Sequence, residues 1–158
     1  MVQPIPEGYH SVTPYLIVDD AKAAIDFYSR AFGAKEVFRM PMGERIAHAE
    51  IKIGDSHVML ADEMPDMGHL GPKSRGGPTA SLMVYVDDVD SAFRKAIEAG
   101  ASETRPVEDQ FWGDRMGGVT DPFGHQWTLA THTRDVSPDE MQRHMEEWNA
   151  KQKESEPA

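Results

Sequence analysis

The sequence predicts an α+β protein made of two tandem βαβββ modules followed by a separate C-terminal helix. Three observations carry that prediction. Val-Asp-Asp at 18–20 recurs at 86–88, an offset of 68 residues. Phe-Gly-Ala-Lys-Glu at 32–36 parallels Ala-Gly-Ala-Ser-Glu at 99–103, an offset of 67, and the strand holding His57 lines up with the strand holding His125, again at 68. Each half also reads in one element order: strand, helix, then three strands. Neither half can bury a helix face and a strand face alone, so the two must share an interface.

The first module, residues 1–63, opens on a Pro-containing entry segment at 1–10. A strand is expected at 12–18, placed at an edge or a bulge because Pro14 cannot donate to a ladder. Asp19 and Asp20 lead into a helix whose apolar face is Ala21, Ala24, Ile25, Tyr28, Ala31 and Phe32, and Gly33 stops it. Residues 35–40 read as a strand and 41–43 as a turn. Residues 45–53 alternate, with Ala47, Ala49, Ile51 and Ile53 on one face, His48, Glu50 and Lys52 on the other, and Ile46 near solvent. A fourth strand is expected at 57–62. Residues 64–79, rich in Gly, Pro and charge, read as a linker loop.

The second module, residues 80–132, repeats the pattern. It has a strand at 82–86, a helix with Val89, Ala92, Phe93, Ala96 and Ile97 on its apolar face, a stop at Gly100, and strands at 103–108, 115–120 and 125–131. Residues 133–158 read as a C-terminal helix and a frayed tail. Ser137 is the cap, Pro138 the first helical residue and Glu140 the capping-box partner. Met141, His144, Met145 and Trp148 form a stripe that docks on this domain or on a second subunit, and 151–158 are expected to fray.

Charge narrows the function. The 158 residues carry a formal charge of −11 and a pI near 5.0, with no basic patch for nucleic acid, and the same balance disfavours anionic membrane surfaces. The chain has no cysteine, so disulfides, thiolate metal sites and thiolate nucleophiles are excluded. No apolar run approaches the roughly 20 residues of a membrane span, and no charged-then-apolar leader opens the chain. A cytoplasmic location and a small-molecule partner are the expectations.

Residues 109–132 hold the densest set of chemistry-bearing side chains. Asp121-Pro122-Phe123-Gly124 is a turn joining two antiparallel strands. Just before the first of these strands, Phe111 and Trp112 can stack on a flat ligand, and Arg115 can clamp a carboxylate or phosphate in two-pronged fashion. This hairpin is expected to form one wall of a pocket. Against it, Trp112 reads equally well as a loop anchor and Arg115 as the partner of Asp114 or another acid, while Trp127 reads as core. His48 and Glu50 project together from one strand face and read as a general base, as half of a metal site, or as an ordinary exposed or wall-lining polar face. Asp62 and Glu63 point to opposite faces and read as a solvated strand end. Met40, Met42, Met59, Met64 and Met67 read as core and loop filler, and His10 and His57 as structural.

Residues 18–34, 86–101 and 121–129 together resemble the vicinal oxygen chelate superfamily, which includes glyoxalase I, bleomycin and fosfomycin resistance proteins and extradiol dioxygenases. Residues 46–65 and 110–129 look like its PhnB-like branch. The resemblance covers about residues 10–132. It implies paired βαβββ modules, a cupped mixed sheet over a ligand cavity (the glyoxalase/bleomycin resistance fold) and a homodimer. It also marks four metal-ligand positions, which in this chain read Thr13, Leu60, Ser81 and Thr128. Neutral hydroxyls are poor ligands for divalent ions, and a register error of one brings no His or carboxylate to 13, 81 or 128. No cofactor is therefore expected, and a divalent metal only through other ligands.

Three functions are carried forward. The first is metal-independent binding of a small aromatic or cationic molecule in a dimer, with Thr13, Tyr15, Leu60, Ser81, Met83, Trp112, Arg115 and Thr128 as ligand-binding residues. The second is a metal-dependent lyase, isomerase or dioxygenase whose metal is held by a shifted set of ligands such as His48 and Glu50, the candidate catalytic residues. The third is a dimerisation module with no catalytic role.

Overall fold

A computed structural model describes residues 1–157. Short polar caps set where each helix begins. Asp20 turns its carboxylate back to accept from Ala23 N at 3.0 Å and starts α1 (Ala21–Phe32). Asp88, 68 residues later, accepts from Ser91 N at 3.2 Å and starts α3 (Val89–Ala99). Gly33 ends α1 with φ 66°, a left-handed conformation that only glycine takes without steric cost. Around these helices run β1 (Tyr15–Val18), β2 (Lys35–Met42), β3 (Arg45–Ile53) and β4 (Ser56–Asp62), and then β5 (Ser81–Tyr85), β6 (Ser102–Asp109), β7 (Asp114–Thr120) and β8 (Gln126–His132). They form two four-stranded mixed sheets, ordered β1-β4-β3-β2 and β5-β8-β7-β6, with the first strand of each parallel to the fourth. The expected fold class, α+β with tandem βαβββ units and a C-terminal helix, is the one observed.

Several boundaries differ from the sequence reading. β1 starts at Tyr15, because Pro14 has no N–H; its carbonyl still accepts from Met59 N at 2.9 Å. Pro41 and Met42 extend β2 instead of turning. Ile46 is fully buried, contrary to expectation: Met40 pairs with His48 but Pro41 with Ile46, so Ala47 is an extra residue that swings Ile46 to the core side. The 64–79 segment contains a short 3₁₀ turn at Pro65–Met67 and one helical turn, α2 (Pro72–Arg75). The tail does not fray at 151, since α4 (Pro138–Ser155) continues to Ser155. α4 buries no residue, and Met145 and Trp148 of its apolar stripe are exposed. No helix among the described residues is long and apolar enough to cross a membrane.

The core sits where α1 meets both units. Leu16, Ala49, Ile51 and Leu60 cover one side of α1, while Phe27, Tyr28 and Phe32 meet Phe123 and Trp127 of the second unit at ring separations from 4.8 to 6.2 Å. α1 also packs on α3. Asp121 joins the parts. It is buried, and its Oδ2 accepts from the Tyr28 hydroxyl at 2.6 Å and Trp127 Nε1 at 2.9 Å, while its Oδ1 accepts from Phe123 N and His125 N, both at 2.9 Å. His125 Nε2 adds a second tie by donating to the Ile17 carbonyl at 2.9 Å.

Tyr28→Phe removes one donor from a buried carboxylate without changing ring packing. We expect a loss of about 1.5–3 kcal/mol in urea unfolding, with an unchanged denaturant slope. A loss within fitting error would mean that Asp121 does not join the units energetically.

Candidate functional site

Helices cover one face of each sheet and leave the other open. On the first sheet the open face carries a row running Tyr15, Met59, Glu50, Phe38 across β1, β4, β3 and β2. The neighbouring row, Leu16, Leu60 and Ala49, is buried against α1. On the second sheet the open face carries Met83, Thr128 and Gly118 in one row and Tyr85, Ala130 and Met116 in the next. Tyr15, Phe38, Met40, Met83 and Tyr85 are exposed there.

A cavity of about 600 Å³ lies at the seam between the units. Its walls include Val12 and Thr13 ahead of β1, Asp55 and His57 from the β3–β4 turn, and Met83 and Tyr85 from β5, with Trp127 among the lining residues. A second cavity, of about 500 Å³, lies between the N-terminal segment (Ile5, Tyr9) and the sheet (Glu50, Met59), and shares His10 and Thr13 with the first.

A chain of polar side chains crosses the open face of the first sheet. Tyr9 donates its hydroxyl to Glu50 Oε2, and Glu50 Oε1 lies 3.1 Å from His48 Nε2. His48 Nδ1 lies 2.8 Å from the Tyr15 hydroxyl. An ionised carboxylate only accepts, so Nε2 carries the imidazole proton and Nδ1 accepts from Tyr15. The Tyr9 hydroxyl, and next the His48 ring, hold the Glu50 carboxyl below its usual range against the opposing effect of burial. Reciprocally, the bond to Glu50 pushes the Tyr9 phenol up to about 12. Burial first, and then the Glu50 charge, raise Tyr15. Tyr9 also stacks on His57, with ring centres 3.9 Å apart and planes at 17°. His57 Nδ1 is buried and has no hydrogen-bond partner among the described residues.

The structure brings His48, Glu50 and Tyr15 together, and sets Thr13 and Met83 on the larger cavity. Ser81 and Thr128 lie on the open face of the second sheet, outside that lining. Leu60 is corrected: it is fully buried on the helix side, and Met59 faces the open side instead. Thr131, which accepts from Val89 N at 2.9 Å, does what Asp62 does for Ala21 N at 2.8 Å. The repeat offset on the fourth strands is therefore 69, and Thr128 corresponds to Met59. Asp62 itself is no solvated strand end. It is buried, and also accepts from Ile46 N at 2.7 Å.

Arg115 and Trp112 do not reach either cavity. The Arg115 guanidinium grips Asp90 of α3 with two bonds of 2.8 Å and touches Asp109 at 3.3 Å. Trp112 is half-buried in the β6–β7 turn, edge-on to Phe111, whose other neighbour is the His144 ring of α4, 5.7 Å away. Phe111 meets the tail helix, and of the 109–132 hairpin Trp127 is the residue that lines the larger cavity. Sequence reasoning missed Tyr9, which stands in a segment without periodicity, and left His57 as structural; no spacing signal pointed to either.

The family-implied metal can be tested on donor chemistry. Thr13, Met59, Ser81 and Thr128 offer hydroxyls and a thioether, a poor set for a divalent ion. Among the described residues, no three His, Asp or Glu side chains converge in a metal-binding arrangement. The residues present do not fit the group.

Comparison with known proteins agrees with this architecture. Residues 8–129 match the model of the Glyoxalase/Bleomycin resistance protein/Dioxygenase superfamily. An uncharacterized protein of Mycobacterium bovis is 44% identical over 139 residues, covering 85% of this chain and 91% of that one. Protein YjdN of Escherichia coli is 26% identical over 140 residues, covering 75% and 92%. Of solved structures, TioX from Micromonospora sp. ML1 superposes with a TM-score of 0.61 at 28% identity, covering 81% of this chain and 100% of that one. The PhnB protein from Bacillus cereus shares the fold, with a TM-score of 0.60 at 19% identity, covering 77% and 99%.

The Tyr9–Glu50 bond has a definite pH signature. The Glu50 value is depressed from 4.5, so its contribution to stability is present above 4.5 and is lost as pH falls through the folded value. The Tyr9 value is raised from 10.0, so its contribution is present below 10.0 and is lost as pH rises through about 12. In Tyr9→Phe, we expect the Glu50 carboxyl titration, followed by carbon NMR, to move up towards the ordinary range. An unmoved midpoint would show that Tyr9 does not engage Glu50 in solution.

Proposed function

Because this chain belongs to the glyoxalase/bleomycin resistance protein/dioxygenase superfamily, we propose that it binds a small, flat aromatic or cationic molecule in the seam cavity, as a homodimer and without the metal used by the superfamily's enzymes. The observation that carries this reading is the cavity of about 600 Å³ itself, where Trp127, Tyr85, Met83 and Leu82 stand beside polar side chains from Thr13, Asp55, Ser56 and His57. Ligand sites are of this size and combine aromatic and apolar walls with placed polar groups. A formal charge of −11 favours cations over anions. Dimerisation is supported by α4, which buries no residue completely and leaves Met145 and Trp148 exposed. Within the superfamily we place the chain in the PhnB-like branch, on the likeness to the Bacillus cereus fold and the motifs at 46–65 and 110–129.

One observation favours a second reading, acid–base catalysis. Glu50 orients His48, which in turn accepts from the Tyr15 hydroxyl. That is the order of groups in which an imidazole acts as general base for a hydroxyl.

A planar aromatic cation such as ethidium should quench tryptophan fluorescence saturably, because Trp127 lines the cavity. Met83→Arg, at an exposed position, should weaken that binding at least about tenfold, or ~1.4 kcal/mol, with the thermal midpoint unchanged. Trp112→Phe should leave affinity intact. Quenching that is linear in probe, or indifferent to Met83→Arg, rules the cavity out.

A further inference from the structure

Among the described residues, Tyr9 makes the one side-chain hydrogen bond from the N-terminal arm to the rest of the protein. Residues 1–13 form no helix or strand. Among the described residues, the backbone of that segment makes one hydrogen bond, Tyr9 N to Pro6 O at 3.0 Å, inside the arm itself. Residues 1–8 and 10–12 are all exposed, and Tyr9 alone among the first twelve is partly buried. An arm held this way has a single latch.

The seat of that latch belongs to the sheet, not to the arm. His57 and Met59 project from the same side of β4, two residues apart, and Glu50 stands opposite Met59 on β3. His57 supplies a flat face against which the Tyr9 ring lies nearly parallel at 3.9 Å. Glu50 supplies a carboxylate oxygen for the hydroxyl, and its other oxygen is occupied by His48, so the free lone pairs are aimed. Met59 and the arm residues Pro4 and Ile5 bound the remaining space of about 500 Å³. His57 Nδ1, buried and without a partner among the described residues, is left for a group that Tyr9 does not have.

We propose that Tyr9 is a placeholder: the arm occupies, from within the same chain, a seat on the open sheet face that accepts a neutral hydroxyl-bearing aromatic ring, and a diffusible ligand of that class displaces it. This inference goes beyond the small-molecule reading above: beside the seam cavity it adds a seat for a phenol-type ligand under competition from the arm. The carboxylate of Glu50 selects the class. It accepts from an un-ionised phenol and repels phenolates and carboxylates, so the ring enters neutral. The depressed Glu50 and raised Tyr9 titrations are what such a pairing produces. The arm shares His10 and Thr13 between the two cavities, so its release also widens the seam cavity.

The test uses the full chain and p-cresol, which is the tyrosine side chain itself, with toluene as its hydroxyl-free counterpart, measured by calorimetry. A competitor seated in about nine of ten molecules weakens apparent affinity about tenfold. Tyr9→Ala should therefore bind p-cresol at least about tenfold tighter than the unaltered protein does, and prefer it to toluene. Glu50→Gln added to Tyr9→Ala should abolish that preference, and Tyr9→Phe should show an intermediate gain, with circular dichroism confirming that each variant is folded. Saturating p-cresol should move the Tyr9 ring resonances of the unaltered protein to solvent-exposed positions. Equal affinity of the unaltered protein and Tyr9→Ala, or of p-cresol and toluene in Tyr9→Ala, overturns the proposal. If ethidium still binds in that case, the small-molecule reading survives alone; if neither probe binds, both fall.

Discussion

Asp121 sits buried where the turn between β7 and β8 meets α1, and its two oxygens accept four donors. An ion this far from water costs several kcal/mol unless its lone pairs are met, so the arrangement is demanding. Two donors are backbone groups of its own turn, one is the indole of Trp127, and one is the hydroxyl of Tyr28 from the other unit. The first three shape the turn and fix the indole. The fourth makes the position of the second unit depend on that of the first, because a hydroxyl must arrive at bonding distance from one particular direction. Hydrophobic burial of Phe27, Phe32 and Phe123 around it has no such directionality. The carboxylate therefore orients the units that the aromatic rings hold together.

That orientation decides what the open faces can do. With α1 and α3 packed on each other, both sheets turn their helix-covered faces inward and leave the opposite faces bare. Strand alternation then sorts the side chains. Leu16, Leu60 and Ala49 go to the core, whereas Tyr15, Met59 and Glu50 go outward, as do Met83 and Thr128 on the second sheet. The seam cavity collects residues from both units because β5 and the segment ahead of β1 are brought side by side. Reactive groups concentrate on the first sheet, where the Tyr9–Glu50–His48–Tyr15 chain runs between strands far apart in sequence.

The duplication was legible because its landmarks are local. Asp20 and Asp88 cap helices through bonds three residues long, and Gly33 and Gly100 stop them by conformation. Such signals survive in any context. The repeat spacing was less safe. It is 68 at the helix starts, 67 at the helix ends and 69 on the fourth strands, and one residue of drift exchanges Met59 for Leu60, the open face for the core. The bulge at Ala47 hid Ile46 in the same way, since an extra residue in one strand reverses alternation without leaving a mark in composition. The charge of Arg115 is visible in sequence and allows a ligand clamp or a pairing with an acid equally; the structure shows the pairing, with Asp90, on a helix 25 residues earlier, a partner revealed by packing alone.

The amino-acid sequence by itself determined the two βαβββ units, the caps that start their helices, the side of β3 on which His48 and Glu50 emerge, and the acidic balance that turns the protein away from polyanions. These follow from interactions spanning a few residues, or from sums over the chain. The tertiary structure alone decided that Tyr9 closes over Glu50 and His57, that Asp121 takes a hydroxyl from Tyr28 across 93 residues, and that Arg115 is already engaged. Each of those depends on where two distant backbones come to rest. That position is set by the summed packing of the whole core, which no local pattern encodes.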